Sequence, residues 1–384
     1  MTYKPKLSIL TIDFGMGGTE RFISSLLPKL IKDYNVTLVI FYNYIHFEIP
    51  KEVNLIILKP NTQKSKSYFF KIKNFTSLFI KYKRFINNEG IDISFSLLPI
   101  PNIINSFLSI TNKKVRTIIS ERCFPSLMYK DNKIQMLLAK VFFPLLYNRN
   151  NALFSNSKYI NDDLRKTFGV NIPMKVIYNP VETDENIRIN LQSIYKTKPL
   201  KIINAGTIYS TKNQKLIIEA MALSKDGDFQ LTILGNGPLK DELQMLSNQL
   251  NLSQYLNFVG IVKNVTPYFL DGDCFVLSSD TEGFPNVLLE ALSLGLPTIS
   301  TNCFSGPLEM LNGNEPVTIK KGHFYKAKYG ILVNVNDKEG LNKAMEYFKN
   351  HPQERLNYSK VGFERAKIYN MSRIYKQVKS LLNN

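Results

Sequence analysis

The chain has 384 residues, 44% of them hydrophobic, with 18 Pro and 19 Gly; that is a globular composition with room for about two domains, and it excludes a disordered or collagen-like chain. Three scattered cysteines, Cys123, Cys274 and Cys303, are too few for a disulfide framework or a zinc site and suit a reducing compartment. The net charge of +18 is uneven, with 26 Lys and Arg against 12 Asp and Glu in residues 1–182 and 23 against 19 in residues 183–384, so the first half is suited to meet nucleic acid, phosphates or anionic lipid.

The start of the chain, Met-Thr-Tyr-Lys, lacks the apolar core of a signal peptide. Residues 6–12 predict a first strand, the glycine-rich turn 13–20 opens a helix at Arg21, and residues 36–41 predict the next strand. Together they form a βαβ unit. Gly15, Gly17 and Gly18 do not complete the dinucleotide fingerprint, because the later spacing is missing. The turn fits either close backbone approach to a phosphate or sugar, or simply a tight connection.

Residues 64–85 stand out as basic. Phe69, Ile72, Phe75, Phe79, Tyr82 and Ile86 recur at three- and four-residue steps, which predicts an amphipathic helix. Its stripe can pack on a sheet or dock on anionic lipid, where apolar burial and Lys/Arg attraction act together. The longest uncharged stretch, 93–112, holds Pro99 and Pro101 and is not a membrane span. Residues 93–98 and 115–120 predict core strands, the second running into Glu121 and Arg122. The apolar run 133–147 is too short to cross a bilayer and predicts a core helix kinked at Pro144. A strand from Ala152, a helix over 158–168 and a strand over 176–181 complete an alternating half.

Residues 183–199 are polar and aperiodic, as expected of a linker. Alternation restarts with strands at 200–205, 229–234 and 256–260, helices at 214–223 and 239–250, and a final helix over 355–382. Two successive strand–helix halves predict two Rossmann-like domains.

The most specific stretch is 279–297. A short apolar run, 274–277, predicts a buried strand; residues 286–292 have helical spacing, and Gly295-Leu-Pro297 stops the helix. Glu282 therefore lies in a loop at the carboxyl end of a strand, with Glu290 about two turns into the next helix. Ligands of open α/β sheets bind at that edge, and N–H groups at a helix start accept phosphate. A bare pair of glutamates would also fit a residue at the positive end of the helix dipole and a solvated helix residue.

The surrounding pattern, a strand, then Glu282-Gly283-Phe284-Pro285-Asn286, then a helix closed by Gly295-Leu-Pro297, resembles the signature of the retaining family 4 glycosyltransferases, whose Glu-x7-Glu element grips a nucleotide sugar. The resemblance implies an α/β fold of the GT-B type, two Rossmann-like domains facing across a cleft. Residues 1–182 would bind the acceptor, 183–199 would link, 200–366 would bind the nucleotide sugar, and a helix over 367–384 would cross back to the first domain. Glu282 would contact sugar hydroxyls and Glu290 the ribose, jobs suited to a carboxylate that accepts from two hydroxyls. Phe284, Pro285, Asn286 and Val287 would border the donor. Ser305-Gly306-Pro307-Leu308-Glu309 and the strand at 330–333 also match.

A departing nucleoside diphosphate needs fixed positive charge or N–H dipoles aimed at its phosphates. Where the family carries Gly-Arg-Leu-x-x-x-Lys-Asn, this chain has Gly206, Thr207, Ile208, then Lys212 and Asn213. Lys212 is the expected diphosphate cation. Thr207 replaces the arginine, so either Arg21 or Arg122 compensates across the cleft or diphosphate binding is weaker. Gly17, Gly18, Glu20 and Arg21 match a Gly-Gly-x-Glu-Arg-like element of the first domain. Glu121 and Arg122 stand where many members carry a histidine. The leaving phosphate is therefore expected to take the acceptor's proton, with Glu121 or Arg122 positioning the acceptor. No cofactor is expected beyond the donor, and no metal, since Asp271-Gly-Asp273 leads into a buried strand.

The reaction implied is retaining transfer of a hexose or N-acetylhexosamine from a nucleotide diphosphate sugar, UDP-linked, to a lipid-diphosphate-linked saccharide. Assembly of capsule, O-antigen or a related surface glycan at the cytoplasmic membrane face would suit it, with residues 64–86 and the basic first domain against anionic lipid. One alternative is a sugar-nucleotide 2-epimerase of the same fold, for which the matched loops offer no histidine. Another is a basic nucleic-acid-binding protein with a steep salt dependence, but no nucleic-acid module accompanies the charge.

Overall fold

A computed structural model describes residues 3–59, 68–186 and 199–383, with side chains of the helix starting at Tyr68 described from Lys73. Most of the linker assigned to 183–199, and residues 64–67 of the basic segment, lie outside the described residues. The chain divides into two units, Met1–Pro180 with Met371–Asn384, and Val181–Asn370.

The first unit runs β1 (Lys6–Thr11), α1 (Gly18–Asp33), β2 (Asn35–Ile40), β3 (Asn54–Ile57), α2 (Tyr68–Glu89), β4 (Ile93–Leu97), α3 (Pro99–Thr111), β5 (Arg116–Glu121), α4 (Pro125–Met128), α5 (Lys133–Tyr147), β6 (Ala152–Ser155), α6 (Lys158–Phe168) and β7 (Met174–Val176). Its seven strands pair in parallel in the order β3-β2-β1-β4-β5-β6-β7. Strands covered on both faces read as continuous apolar runs rather than alternating ones, and β4 and β6 are buried at every position. The strand expected over 176–181 is instead the three residues of β7. Beyond it the chain leaves the ladder toward Asn179-Pro180, since proline offers no N–H to a ladder.

One face of this sheet carries α1. The other carries α2 and α3. Leu78, Tyr82 and Ile86 of α2 are buried with Leu10, Val39, Ile104 and Leu108, and Phe75 and Phe79 pack against them. The described part of the amphipathic stripe thus lies on the sheet, which corrects the reading that this face meets lipid. A buried hydrogen-bonded chain, Ser8–Tyr82–Ser94–Asn105, ties α2 and α3 to β1 and β4. The apolar run at 133–147 is a helix that continues through Pro144, but only Ala139, Phe143, Leu146 and Tyr147 of it are buried.

The second unit runs β8 (Leu200–Ala205), α7 (Gln214–Met221), β9 (Phe229–Leu234), α8 (Lys240–Gln249), β10 (Leu256–Gly260), α9 (Thr266–Asp271), β11 (Cys274–Leu277), α10 (Asn286–Ser293), β12 (Thr298–Thr301), α11 (Gly306–Asn312), β13 (Phe324–Lys326), β14 (Ile331–Val333), α12 (Lys338–Asn350) and α13 (Pro352–Lys367). The order is β10-β9-β8-β11-β12-β14-β13, parallel except for β13 against β14. The single helix expected over 355–382 is two. α13 ends near Ile368, Asn370 bridges to Val181, and α14 (Met371–Asn383) belongs to the first unit. There Ile374, Val378, Leu381 and Leu382 complete the core with Leu26, Leu27 and Leu30 of α1, at about 1.5–3 kcal/mol per buried side chain. Lys379 Nζ pairs with Asp33 at 2.9 Å, and Tyr34 donates to Asn383 at 2.6 Å.

In both sheets the chain starts in the middle, winds outward, and returns to wind the other way. The reversal lies between β1 and β4 in one unit and between β8 and β11 in the other, and the carboxyl ends of such strand pairs frame a ligand crevice.

Candidate functional site

In the second unit the loops after β8 and β11 leave neighbouring strands at this reversal. β8 is followed by Gly206, whose φ of 151° suits glycine. Gly235, after β9, passes so close that a Cβ there would lie 2.0 Å from the Gly206 oxygen. Thr207 is exposed, and a single 3-10 turn, Ser210–Lys212, leads to Asn213 at φ 47°. From that turn Lys212 Nζ reaches Glu282 Oε1 at 2.6 Å, the lysine side chain 31% and the glutamate 9% exposed. Ser279 Oγ donates to the same Oε1 at 2.7 Å. Asn213 donates to Asp280 at 2.9 Å, Ser278 Oγ to the Lys212 carbonyl at 2.8 Å, and the Asp280 N–H to Thr211 at 2.9 Å. The two loops form one stitched surface.

A second set of bonds holds Glu282's loop from the other side. Gly283 accepts from the Gly306 N–H at 3.0 Å and from Ser305 Oγ at 2.6 Å, while Thr301 Oγ1 donates to Ser279 at 2.6 Å. A side chain at Gly306 would strike Pro285 Cδ at 2.4 Å. Phe284 is buried edge-on to Tyr369, ring centroids 5.5 Å apart. Pro285 is the cap position of α10 and supplies no side-chain acceptor, so no capping oxygen covers the positive helix end. Asn286 and Val287, half-buried, begin that helix. Glu290 is its fifth residue, half-buried and little more than one turn in, not two as the spacing suggested. Beneath the loop, burial and then the charge of Glu282 push the Cys303 thiol well up. Asp271 and Asp273 both serve Lys201: Asp271 pairs with its Nζ at 2.8 Å and Asp273 accepts from its N–H at 2.9 Å.

In the first unit Gly17 caps α1 and Gly18 opens it, both exposed, with Arg21 exposed one turn on. Glu20 is buried. Its carboxyl folds back toward Gly17, where a Cβ would lie 2.0 Å from Oε2. Burial raises its pKa, and Asp13 adds to the rise while Arg122 opposes it. Arg122 is 6% exposed, donates through Nη2 to Asn179, and stacks on Phe22 with Cζ 4.1 Å from the ring centroid. Its Nε and Nη1 are buried without a hydrogen-bond partner among the described residues. Burial brings its pKa down to about 9. A buried guanidinium with donors to spare is costly unless something anionic or strongly accepting meets it.

Glu121 ends β5. It is fully buried, accepting from the Arg122 N–H at 3.1 Å and from Tyr147 OH at 3.1 Å, and burial raises its pKa to about 7. Its side chain points into the unit, where it holds the Arg122 backbone N–H and the Tyr147 hydroxyl. Asn179, Ser279, Asp280 and Thr301 were not foreseen. Asn179 precedes Pro180, the one signal that could have drawn attention to it.

These arrangements have relatives. The family described as glycosyl transferases group 1 matches residues 187–365. Over 371 residues the chain is 31% identical to the N-acetylgalactosamine-N,N'-diacetylbacillosaminyl-diphospho-undecaprenol 4-alpha-N-acetylgalactosaminyltransferase of Campylobacter jejuni, covering 96% of this chain and 97% of that one. Among solved structures it is similar to sucrose-phosphate synthase from Thermosynechococcus elongatus (TM-score 0.80, 14% identity, 99% and 98% of the two chains). It is also similar to Anabaena HepE in complex with UDP and glucose (TM-score 0.74, 15% identity, 99% and 100%). The fold is GT-B, two Rossmann-like domains.

Proposed function

The chain belongs to the glycosyl transferases group 1 family, and from that membership we propose that it moves a hexose or N-acetylhexosamine from a UDP-linked donor to a lipid-diphosphate-linked saccharide, with retention and without a metal. The observation that carries this reading is the Lys212–Glu282 pair, which sets a cation and a hydroxyl acceptor side by side at the strand reversal of the second unit. Lys212 is placed to meet the diphosphate, Glu282 the sugar hydroxyls, and Glu290 the ribose.

The chemistry balances without a side-chain base. The acceptor hydroxyl forms its bond to C1 as the C1–O bond to the diphosphate breaks, and its proton passes to the leaving phosphate oxygen. The burial of Glu121 supports this, since its carboxyl is engaged by the Arg122 N–H and the Tyr147 hydroxyl inside the first unit. Arg122, with two unused donors, is the group we assign to positioning the acceptor. The acceptor class is suggested by the Campylobacter relative, whose name specifies a diphospho-undecaprenol substrate. Assembly of capsule, O-antigen or a related surface glycan at the cytoplasmic face of the membrane fits that class.

Thermal stabilisation against a panel of nucleoside diphosphates and their sugars tests the donor, because a ligand of the native state raises the midpoint by mass action. A shift with UDP and one UDP-sugar, reduced by Glu290→Ala, is expected. Absence of any shift, together with tight, salt-sensitive nucleic-acid binding, would overturn the proposal.

A further inference from the structure

Behind the Glu282 loop the second unit carries a strut. It is α11, seven residues long, and both its ends are held. At the first end the Gly306 N–H and Ser305 Oγ both donate to the Gly283 carbonyl. At the last, Arg365 Nη2 donates to the Glu309 carbonyl at 2.6 Å and Nε to the Met310 carbonyl at 3.1 Å. Those carbonyls lie in the final turn, which no further helical N–H reaches, and a cation suits that end of a helix. Ser305 joins strut to loop with φ 81° and ψ −147°. That region is essentially reserved for glycine, and another residue stays there only when its surroundings force it.

Arg365 reaches the loop by a second route. Its guanidinium lies over two rings, Cζ 4.9 Å from the Tyr329 centroid and 5.3 Å from that of Tyr369. Tyr369 is 1% exposed and meets Phe284 edge-on. One route therefore runs through α11 to Gly283 and the other through Tyr369 to Phe284, and they arrive at adjacent residues just after Glu282. α13, which carries Arg365, also lies against α10, where a Cβ at Gly362 would stand 2.9 Å from Leu292 Cδ2. One helix thus backs both the loop and the helix that it opens.

We infer that Arg365 and Tyr369 are positioning residues for the donor site: they set the backbone at Gly283 and Phe284, and through it the Glu282 carboxylate that Lys212 meets. The inference rests on the donor reading given above and deepens it. A group that must accept from a particular hydroxyl has to be held within about 0.5 Å, which takes supporting side chains that are themselves locked. Both side chains meet that condition, Tyr369 by burial and Arg365 by its two carbonyls and two rings.

Cys303 supplies a readout that needs no ligand, because it lies 3% exposed beneath the loop while Cys274 is fully buried in β11. Maleimide labelling, located by mass spectrometry, tests the inference beside calorimetric titration with UDP. Tyr369→Leu removes the ring, and Arg365→Met keeps the stem without the donors. Each should speed labelling of Cys303 about tenfold and leave Cys274 protected, since only local opening becomes easier. Each should also bind UDP about tenfold more weakly. Tyr369→Phe, which keeps the ring against Phe284, should match wild type in both measurements. The inference is overturned if Cys303 labels at the wild-type rate in both variants, or if Cys303 and Cys274 open together, as general destabilisation would make them. It is equally overturned if Tyr369→Phe behaves as Tyr369→Leu, or if wild type binds UDP and the two variants bind it as well. A wild type that does not bind UDP would count against the donor reading, and the labelling would still decide whether the two residues hold the loop.

Discussion

Lys212 and Glu282, 70 positions apart, meet at 2.6 Å because their loops leave the two strands between which the second sheet reverses. Two donors, Lys212 Nζ and Ser279 Oγ, converge on one carboxylate oxygen, which leaves Oε2 as the acceptor for a substrate hydroxyl under the proposed reaction. The glutamate is the more buried partner, so the lysine also shields a desolvated charge.

Lys212→Ala should therefore weaken nucleoside diphosphate binding by roughly 10–100-fold, a loss of about 1.4–2.7 kcal/mol, and lower the thermal midpoint by stranding Glu282. Adding Glu282→Gln should restore much of the midpoint but none of the affinity, a non-additivity that a double-mutant cycle detects. Calorimetric titration with UDP beside thermal unfolding reads both. Unchanged UDP affinity in Lys212→Ala would remove the lysine from the donor site.

Thr207 stands where the family resemblance places an arginine, and it is exposed. Thr207→Arg should thus fold normally and tighten binding of UDP by about threefold to tenfold through a charge-assisted contact to phosphate, with the gain fading in salt. Uridine, which has no phosphate, should bind as before. Equal gains for both ligands would place the new guanidinium elsewhere.

Glu121 predicts a pH signature. Its folded pKa of about 7 lies above the ordinary 4.5, so between those values the folded state holds a proton that the unfolded state has lost. Stability from this group therefore falls as pH rises from about 4.5 to about 7 and then levels off. Glu121→Gln, whose amide oxygen can still accept from the Arg122 N–H while its NH2 faces the Tyr147 oxygen as a donor, removes the titration. Relative to wild type its midpoint should climb from pH 5 to pH 8. Parallel curves would show that the carboxyl is already ionised throughout.

Much of this was legible in the chain because parallel strands covered on both faces write themselves as apolar runs: Phe229–Leu234 and Leu200–Ala205 have the expected bounds. The donor loop was legible for a different reason, since Glu282-Gly283-Phe284-Pro285-Asn286 combines turn chemistry with a strand on one side and a helix on the other. What could not be read was direction. Glu121 ends a strand whose last side chain could point outward or inward, and only its packing on Tyr147 decides. The apolar run at 133–147 would look the same whether one face or both were covered. Arg122 and Asn179, 57 positions apart, meet through sheet order, which periodicity does not encode.

The placement of α14 reverses the order of manufacture. The first unit begins at residue 1, yet its core is closed by contacts 342 and 349 positions away, Tyr375 to Asp33 and Asn383 to Tyr34. The second unit is contiguous from Val181 to Asn370, so its elements emerge in one run. At about 5–20 residues per second, the seat of α14 beside Leu26 and Leu30 stays uncovered for on the order of tens of seconds. A released chain cut before Met371 would hold every element of the second unit and an open first one, the form that chaperones and proteases would meet.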